Sequence, residues 1–519
     1  MLSDTPDSQR YDVEPVNSKK QRPALYAPRK KIFPKRANGR FRQFKWLVML
    51  ITLTIYYVTP WLRWDRGPFA PDQAVLVDLA NRRFYFFFIE IWPQEFYYVA
   101  GLLVMAGIGL FLVTSTVGRA WCGYACPQTV WVDLFLAVEG FIEGDRNARM
   151  KLDAAPWTPA KIGKRVAKHA IWLLIGVATG GAWIFYFADA PNLLVNVATL
   201  QAPPVAYITI ALLTATTYTF GGLMREQVCT YMCPWPRIQG AMLDEHSLTV
   251  TYNDWRGEPR SRHAKKALAE NKPVGDCVDC NACVVVCPMG IDIRDGQQLE
   301  CITCALCIDA CDDVMDKLGK ERGLISYATL NDHAHNMALA TGAGKVVQPA
   351  RIRDKATGRL IDAIKLTDWR SIIRPRTIIY TLLLAIVGLG MLTALALRSP
   401  LSVNVLHDRN PLYVQMRDGS VSNGYDIKIL NMTPEPRTVM VSIHGLDGAT
   451  LSAAEQTTEA GSVLELMLEP DRVLSLRAYV QVARHALPAS QQRFVIGVSS
   501  TDGAIHTQAE TTFEVPEAK

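Results

Sequence analysis

Residues 277–288 read CVDCNACVVVCP, and residues 301–311 read CITCALCIDAC. Both runs have the spacing C-x2-C-x2-C-x3-C, which is the bacterial ferredoxin pattern for a pair of [4Fe–4S] clusters. Structural zinc sites favour pairs of cysteines separated by a longer loop, so they fit this spacing less well. Asp312 stands where the first run has Pro288, which leaves the number of ligands unchanged. The segment is therefore predicted to transfer single electrons.

In this pattern the fourth cysteine of each run ligates the other cluster, because the longer last step carries its thiolate across. The first predicted cluster takes Cys277, Cys280, Cys283 and Cys311, and the second takes Cys301, Cys304, Cys307 and Cys287. The predicted ferredoxin-like insert covers about residues 268–320.

Apolar segments without charged residues recur along this chain of 519 residues, of which 49% are hydrophobic. A helix needs about 20 apolar residues to cross a bilayer core. The predicted transmembrane helices are 46–62, 96–117, 170–188, 203–222 and 377–397. Buried helices of a soluble protein are the alternative, but the number and length of these segments favour a membrane bundle of five spans.

Lys and Arg residues beside the spans predict the orientation, since cytoplasmic loops are enriched in them. The first 45 residues contain twelve, loop 118–169 contains eight, loop 63–95 contains four and the connection 189–202 contains none. This distribution puts the N-terminus and the cluster-bearing segment in the cytoplasm and the tail after residue 398 outside. All twelve cysteines then lie on the reducing side of the membrane.

These boundaries predict a multi-domain membrane protein with five regions. They are a disordered basic cytoplasmic leader (1–40), helices one to four (41–222), a cytoplasmic region with the ferredoxin-like insert (223–376), the fifth helix (377–397) and a periplasmic domain (398–519). The leader lacks the apolar core of a cleaved signal peptide, so the first helix is expected to remain as an anchor.

The other four cysteines form two copies of a second motif. WCGYACP at 121–127 contains Cys122 and Cys126, and VCTYMCP at 228–234 contains Cys229 and Cys233. Each C-x3-C-P follows a span that is predicted to run from outside to inside, which indicates an internal duplication. If these segments are helical, cysteines at i and i+4 share one face, and the proline marks a helix break or restart.

Two such pairs can offer four thiolates at the membrane surface, either within one chain or across a homodimer. Soft thiolates select Cu(I), zinc or an iron–sulfur cluster over hard cations. Met224, Met232 and Met242 lie nearby in the sequence and can add thioether ligands. Structural thiols are the alternative, but the duplication beside a two-cluster electron donor favours a metal or redox role.

The tail from residue 398 to 519 changes character, because short alternating segments separated by Gly, Pro, Asn and Asp predict strands. The predicted strands are 402–406, 411–416, 424–430, 437–443, 463–468, 473–482, 492–499 and 504–514. Seven or eight short strands over this length predict an all-β immunoglobulin-like sandwich. The tail contains no cysteine, so its apolar core alone must hold it together.

Other candidates have simpler interpretations. His169 lies at the start of the third span, and His246 follows the second C-x3-C-P motif. At such positions an interfacial histidine is commoner than a metal ligand. The aromatic segment 84–92 suits an interfacial anchor better than a quinone pocket in which Glu90 or Glu95 would take protons.

The combination of five spans, two C-x3-C-P motifs, a ferredoxin insert and an external β tail resembles the CcoG/FixG/RdxA family of membrane polyferredoxins. These are accessory proteins of cbb3-type cytochrome c oxidase assembly in bacteria. The resemblance implies reduction of Cu(II) to Cu(I) on the cytoplasmic side of the inner membrane. Carried over by motif, Cys122, Cys126, Cys229 and Cys233 would be the catalytic copper ligands, and the eight ferredoxin cysteines would deliver electrons.

The implied enzyme is thus a cupric reductase with two [4Fe–4S] clusters and copper as its substrate. Its expected partners are membrane lipid, copper ions, oxidase assembly factors and an electron donor of unknown identity, without nucleic acid. Two other functions stay open: a quinol-linked subunit of the NapH type, and a non-catalytic assembly scaffold. The long β tail and the fifth span favour the reductase.

Overall fold

The structure is a computed structural model that describes residues 31–68, 70–342, 351–353, 360–362, 372–433, 435–454, 461–470, 472–488, 490–501, 503 and 505–516. The chain divides into two compact units. One contains Met1–Leu62 and Val75–Leu389, and the other contains Arg63–Ala74 and Gly390–Lys519. Most of the predicted leader, residues 1–30, lies outside the described residues, as does most of the connector 343–371.

The first unit is mainly helical. The α-helices of the described chain are α1 (Arg40–Val58), α2 (Tyr97–Val117), α3 (Pro127–Ile142), α4 (Arg146–Ala154), α5 (Pro159–Ile184), α6 (Ala190–Ala198), α7 (Pro204–Thr217), α8 (Trp235–Met242), α9 (Asp254–Gly257), α10 (Ala264–Ala269), α11 (Ala282–Val285), α12 (Leu306–Lys317), α13 (Leu330–Gly342) and α14 (Pro375–Ala396). Three further segments are π-helical: Trp121–Ala125, Tyr218–Met224 and Val228–Met232.

Among the described residues, four helical segments are long and apolar enough to cross a membrane. They are Pro93–Val117, Pro159–Ile184, Pro204–Met224 and Pro375–Ala396, which coincide with four of the five predicted spans. The remaining prediction, 46–62, falls on α1, whose first turns carry Arg40, Arg42 and Lys45. Its uncharged part rises only about 20 Å, less than the roughly 30 Å of a hydrocarbon core. The predicted first span, 46–62, therefore stays a prediction.

Two glycines one helical turn apart let α5 and α7 approach closely. A Cβ on Gly180 would lie 2.8 Å from the backbone oxygen of Ile210, and one on Gly176 would lie 3.2 Å from Cγ2 of Thr214. Small residues at this spacing are a common device for helix packing in membranes, where backbones approach without bulky side chains between them.

Loop 63–95 contains a sheet that the sequence did not predict. Strands β1 (Val75–Asp78), β2 (Arg83–Phe86) and β3 (Ile89–Ile91) pair in that order and antiparallel. The aromatic segment 84–92 thus forms most of a hairpin. Because aromatic residues occupy both faces of β2, this segment lacks the alternation that identifies a strand in a sequence.

The end of the predicted disordered leader is packed in the structure. The Lys35 N–H donates to the backbone oxygen of Val285 at 2.9 Å. Asp309 of α12 accepts from the backbone N–H groups of Phe41 and Arg42 at 3.2 and 2.7 Å, and thereby caps the N-terminus of α1. The prediction of disorder is therefore wrong for residues 31–40, because the ferredoxin insert supplies partners for this segment.

Two short strands frame the ferredoxin insert. β4 (Thr249–Tyr252) precedes it and pairs antiparallel with β5 (Ile325–Ala328), which follows it. Between them lie α11 and α12, with a core that includes Val284, Ile308 and Met315. The described parts of the connector beyond it form another hairpin, β6 (Arg351–Arg353) and β7 (Leu360–Asp362).

The C-terminal domain is a sandwich of two antiparallel sheets. Its strands are β8 (Leu401–His407), β9 (Val414–Gln415), β10 (Val421–Asn431), β11 (Arg437–His444), β12 (Ala449–Ala453), β13 (Val463–Leu468), β14 (Val473–Val482), β15 (Gln492–Ser500) and β16 (His506–Phe513). One sheet has the order β12-β14-β10-β8, with β9 beside β10, and the other has the order β13-β11-β15-β16. Side chains from both sheets form one buried core.

The predicted strands agree with the observed ones to within three residues at each end. β12 was missed, because DGAT at 447–450 has the composition of a turn and the strand begins at Ala449 inside it. In β13 the alternation of exposed and buried residues is complete, which is why the sequence predicted this strand correctly.

Candidate metal centre

Two loops of the ferredoxin insert have the same backbone geometry around the second cysteine of each run. In both loops this cysteine lies between two residues with left-handed backbone. They are Asp279 and Asn281 around Cys280, and Thr303 and Ala305 around Cys304, with φ between 50° and 61°. Such a conformation costs a residue other than glycine about 1–3 kcal/mol, and it persists where the surroundings impose it, often at functional sites.

Arg294 holds the first of these loops. Its guanidinium donates to Oδ1 of Asp279 and to Oδ1 of Asn281, both at 2.7 Å. It also forms an ion pair with Asp292 at 2.7 Å, and its side chain is only 6% exposed. The planar fork of an arginine suits this multiple contact, which a lysine could not reproduce. Arg294 therefore fixes the two left-handed residues of the first loop.

The eight thiols gather into two sets. The thiol of Cys311 lies within electrostatic reach of the thiols of Cys283, Cys280 and Cys277. The thiol of Cys307 lies within reach of those of Cys304, Cys301 and Cys287, and less strongly of Cys283. The structure thus brings together the same two sets of four that the spacing predicts.

Burial favours the protonated form of several of these thiols, because it raises their pKa values. It raises the pKa of Cys301 to about 11 and that of Cys287 to about 12. It also holds the pKa values of Cys307 and Cys311 well above the ordinary range. Because metal ligation requires thiolates, a cationic centre must supply the charge that stabilises them.

The donor sets fit iron–sulfur clusters better than single metal ions. Among the described residues, no group of three or more His, Cys, Asp or Glu side chains is arranged around one ion. A four-iron cube takes its thiolates at four separate corners, so spread sets of four cysteines suit it. A cavity between the loops is lined by five of these cysteines and by apolar side chains such as Ile291, Ile293 and Leu306. When bound there, the clusters supply single electrons.

Both C-x3-C-P motifs form a turn of π-helix. The Cys126 N–H donates to the backbone oxygen of Trp121 at 2.9 Å, and the Cys233 N–H donates to that of Val228 at 2.8 Å. The motif segments are therefore helical, but their turn is one residue wider than that of an α-helix. Single π turns are rare and often mark functional sites.

The two motifs also share their flanks, as an internal duplication predicts. Four residues before the first cysteine of each stands a residue with positive φ, Gly118 at 61° and Arg225 at 47°. After the second cysteine, Pro127 begins α3 and Pro234 precedes α8. The same path from a long helix through a left-handed residue to a π turn occurs twice.

The four motif cysteines lie near one another within one chain, although no three of the described side chains are arranged to hold a single ion. The thiol of Cys229 lies within electrostatic reach of those of Cys126, Cys122 and Cys233. Burial raises the pKa of Cys229 to about 12 and that of Cys122 to about 11. Cys126 is half-buried and Cys233 is exposed. The group thus runs from a buried end to an accessible one.

The first motif packs against the second cluster-binding loop. A Cβ on Gly123 would lie 2.5 Å from the backbone oxygen of Ile302 and 3.1 Å from Cα of Cys304, so only glycine permits this approach. The Tyr124 hydroxyl donates to the backbone oxygen of Cys304 at 3.1 Å. Cys122 and Cys304 belong to one buried cluster, and Cys229 packs against it. The motif cysteines thus border the site formed by Cys301, Cys304, Cys307 and Cys287.

A buried chain of hydrogen bonds positions Cys122. Its thiol donates to Oε1 of Gln239 at 3.0 Å, and Nε2 of Gln239 donates to Oγ1 of Thr114 at 3.1 Å. Gln239 lies on α8, directly after the second motif, and is fully buried. The contact therefore links the two copies of the motif. Sequence reasoning missed Gln239, whose only signal is its place one helical turn beyond a C-x3-C-P.

A buried arginine lies close enough to both the motif cysteines and the second cluster site for its charge to act on thiols of each. Arg119 is 4% exposed and donates to the backbone oxygen of Leu299. Its positive charge opposes the effect of burial on the pKa values of Cys122, Cys229 and Cys301. In the sequence it looks like an ordinary charge after a span, so its role was missed.

A buried ionic network supports α3 behind the first motif. Glu139 pairs with Arg149, Lys168 and Arg225 at 3.0, 3.3 and 2.9 Å. Burial raises its pKa, but Arg225, Lys168 and Arg149 outweigh this and hold the pKa of Glu139 below its ordinary value. Sequence reasoning missed this network; its signal is that two carboxylates, Asp133 and Glu139, interrupt the otherwise apolar stretch VWVDLFLAVEGFI.

The remaining candidates have structural partners. Nδ1 of His169 lies 2.9 Å from the Tyr218 hydroxyl, whereas His246 is exposed. Glu90 pairs with Arg83 at 3.2 Å. Glu95 accepts from the backbone N–H of Trp92 at 3.2 Å and caps a helical turn. These contacts favour the structural interpretation of His169, Glu90 and Glu95, and the exposure of His246 suits an interfacial side chain.

The methionines that the sequence offered as thioether ligands differ in their exposure to solvent. Met232 is 51% exposed, and Met242 is buried. Met289, which sequence reasoning did not consider, is 4% exposed and belongs to the same buried cluster as Cys122. The sequence feature that could have identified Met289 is its position two residues after Cys287.

Comparisons with known proteins give family matches in three ranges of the chain. Residues 224–330 match a family described as a 4Fe-4S dicluster domain, and residues 99–141 match a 4Fe-4S binding domain. Residues 391–516 match an IG-like fold at the C-terminus of FixG. Nitrogen fixation protein FixG of Rhizobium meliloti is 65% identical over 510 residues, which cover 98% of this chain and 97% of that protein.

The chain belongs to the FixG/RdxA family. Two further relatives come from Cereibacter sphaeroides. Protein RdxB is 56% identical over 458 residues, or 88% of each chain. Protein RdxA is 50% identical over 466 residues, which cover 90% of this chain and 92% of that protein. This FixG-family chain is thus an iron–sulfur electron-transfer protein with a C-terminal immunoglobulin-like domain and helices compatible with a membrane.

Proposed function

We propose that this FixG-family chain is a cupric reductase, in which electrons from the iron–sulfur clusters reduce Cu(II) to Cu(I) at Cys122, Cys126, Cys229 and Cys233. The observation that carries this proposal is the contact between the first motif and the loop that contains Cys304. This contact brings the first motif, with two of the four proposed soft ligands, beside the loop of the predicted single-electron donor.

The chemistry of the four thiols suits the reduced product. Cu(II) prefers tetragonal nitrogen and oxygen ligands, whereas Cu(I) prefers thiolate and thioether. A thiolate site therefore stabilises Cu(I) and makes its formation more favourable. Because Cys233 is exposed while Cys122 is buried, copper can reach the site from one side and bind deeper.

The proposed setting is the bacterial inner membrane. The clusters and the four motif cysteines lie at its cytoplasmic face, where Lys and Arg are enriched in the flanks of the spans. The immunoglobulin-like domain lies in the periplasm. The Cu(I) product serves the assembly of a cbb3-type oxidase, through contacts with assembly factors. Membership of the FixG/RdxA family and the absence of cysteine from residues 398–519 support this arrangement.

The test is anaerobic. The purified chain is reduced, Cu(II) is added, and Cu(I) is followed with a chelator that reports it. The matched variant has Cys122, Cys126, Cys229 and Cys233 changed to Ser and carries the same clusters. We expect rapid Cu(I) formation by the native chain and at least a tenfold slower rate with the variant. Equal rates would contradict a reductase site at the motifs and would favour the quinol-linked function.

A second candidate is that the four motif cysteines hold a further iron–sulfur cluster. The 4Fe-4S binding match over residues 99–141 favours it, because this segment contains Cys122 and Cys126. The iron content of the four-serine variant distinguishes a copper site from a third cluster. Two clusters contain about eight iron atoms and a third would bring the total to about twelve. A copper site predicts that the variant keeps its iron, whereas a third cluster predicts the loss of one third.

A further inference from the structure

Arg119 is a buried cation that has no carboxylate partner among the described residues. It is 4% exposed and stands directly before the first motif, and its guanidinium donates to the backbone oxygen of Leu299. In the part of the chain that the structure describes, its Nε has no hydrogen-bond acceptor and none of the ion pairs includes it. A buried charge is costly unless it is paired, so Arg119 requires an anion that is supplied in another way.

The groups beside Arg119 that can become anions are thiols. Cys122 of the first motif lies within hydrogen-bonding reach of its guanidinium. Cys229 of the second motif and Cys301 of the second cluster set lie within reach of its charge. A [4Fe–4S] core with four thiolate ligands is a net anion, and its reduction adds one more negative charge. The second cluster, when bound, and the motif thiolates would therefore supply the negative charge that Arg119 lacks.

The first cluster site has a different balance of charge. Its buried arginine, Arg294, forms ion pairs with Asp279 and Asp292, both at 2.7 Å. A further carboxylate, that of Asp312, lies within electrostatic reach of the Cys311 thiol. The buried positive charge of the first site is thus already offset by carboxylates of the same insert.

This difference acts on the reduction potentials of the two sites. Because a reduced cluster carries one more negative charge, its reduction potential depends on the charges beside it. A positive charge nearby stabilises the reduced form, whereas a carboxylate destabilises it, and both effects are stronger in a buried site than in water. Asp309, which lies between the two sets of cysteines, caps α1 and has the positive end of that helix as its partner. The unbalanced charge of Arg119 therefore favours an electron at the second site.

We propose that Arg119 sets the order of electron flow within the insert, because its charge gives the second cluster, held by Cys301, Cys304, Cys307 and Cys287, the higher reduction potential of the two. One electron then passes from the reduced first cluster to the oxidised second cluster, which borders the first motif. The first cluster is oxidised by one electron and the second is reduced by one, and no bond breaks in this step. The order of the two sites does not depend on which metal the motif cysteines bind.

A redox titration of the full chain, with both clusters loaded and copper absent, tests the proposal. The reduced clusters are followed by electron paramagnetic resonance, and each gives one reduction step. Arg119→Gln removes the charge but keeps a donor for the backbone oxygen of Leu299. We expect this change to lower the equilibrium constant for reduction at the higher step about tenfold, or about 59 mV for a one-electron couple. The lower step should move less than about threefold.

Two further variants separate charge from structure. Arg119→Lys keeps the charge, so the higher step should stay within about threefold of the native equilibrium constant. A structural role alone would not distinguish the Lys and Gln variants by their potentials at equal iron content. Asp312→Asn removes a carboxylate from the first site and keeps an oxygen acceptor for the Gly323 N–H, which donates to Asp312 at 3.0 Å. It should raise the lower step and leave the higher step unchanged.

The two charge changes must act on different steps. Unchanged potentials in Arg119→Gln would overturn the proposal, and so would a shift of the same step by Arg119→Gln and Asp312→Asn. If Arg119→Gln fails to retain the second cluster, Asp312→Asn in the native background decides the order. A shift of the lower step then supports the proposal, and a shift of the higher step overturns it.

This outcome is independent of the copper assay. If the four-serine variant reduces copper as fast as the native chain while Arg119→Gln still lowers the higher step, the reductase is wrong and the order of the clusters stands. If Arg119→Gln leaves both potentials unchanged while the four-serine variant fails to reduce copper, the reductase stands and the role of Arg119 is wrong.

Discussion

The ferredoxin insert and the C-terminal sandwich are stabilised in different ways. The sandwich has an apolar core in which Tyr425, Ile427 and Val439 are fully buried, and each is supplied by a strand with alternating burial. The insert buries charged groups beside its cysteines, among them Arg294 and Asp309. A metal-binding fold can thus depend on a few specific polar contacts, whereas a sandwich distributes its stability over many apolar ones.

The largest effect is expected from removing a polar contact of the insert. Arg294→Met leaves Asp279 and Asp292 without their shared partner, which costs about 3–5 kcal/mol for a buried ion pair. The loop around Cys280 should relax, and the cluster of Cys277, Cys280, Cys283 and Cys311 should be lost before the other. Iron analysis together with redox titration measures how much of each cluster is lost.

The control for that change is Arg322→Met, since Arg322 forms an exposed ion pair with Asp316 at 2.6 Å. Exposed pairs contribute at most about 1 kcal/mol, so cluster content should not change. Equal loss of both clusters in Arg294→Met would show that the two loops are not held independently.

A core truncation in the sandwich should be costly but local. Phe494 is 2% exposed and its ring packs edge-on against Tyr425 with centroids 5.7 Å apart. Phe494→Ala should cost about 3–5 kcal/mol. Hydrogen exchange of residues 401–513 in the full chain should accelerate while iron content stays constant. Met467→Ala, at a side chain that is 71% exposed, should change neither.

The two regions also differ in what their sequences revealed. Period-two alternation predicted most strands of the sandwich, because a strand with one buried face needs nothing else. Cysteine spacing predicted both cluster sets for a similar reason, since ligand geometry is local. The contacts that support the metal centre were not predicted. Gln239 lies 117 residues from Cys122, and no local pattern reports a pairing over that distance.

Carboxylates within α3 gave a signal that was overlooked. Asp133 and Glu139 interrupt an apolar run, and a buried charge is tolerated only with a partner. Their partners come from α1, α4, α5 and the segment after α7. The sequence can therefore indicate that such residues are paired, but their partners become known only once the helices are assembled.

A smaller effect is expected at the contact between the first motif and the second cluster loop. Gly123→Ala places a Cβ 2.5 Å from the backbone oxygen of Ile302. Overpacking of this kind costs about 1–3 kcal/mol. The motif should move away from Cys304, so Cu(II) reduction should slow while the iron content and the redox potentials of the clusters stay near those of the native chain.

Gly140→Ala is the matched control for this change. A Cβ at Gly140, on α3, would meet no atom within 4 Å. Alanine is favoured over glycine within a helix by about 1 kcal/mol, so stability should not fall. If Gly123→Ala reduces copper as fast as Gly140→Ala, the close approach is not required for electron transfer.

The cap on α1 has a consequence for biosynthesis. Asp309 closes the N-terminus of α1 although 268 residues separate it from Phe41. During translation, α1 is synthesised before its cap exists, and so are α2, α5 and α7, three of the four described helices that are apolar enough to span a membrane. Asp309 stands between Cys307 and Cys311, one ligand from each predicted cluster set, so the earliest helix is completed only when the iron-binding segment folds. Folding of the insert and capping of the first helix are therefore expected to occur together, after these helices have been synthesised.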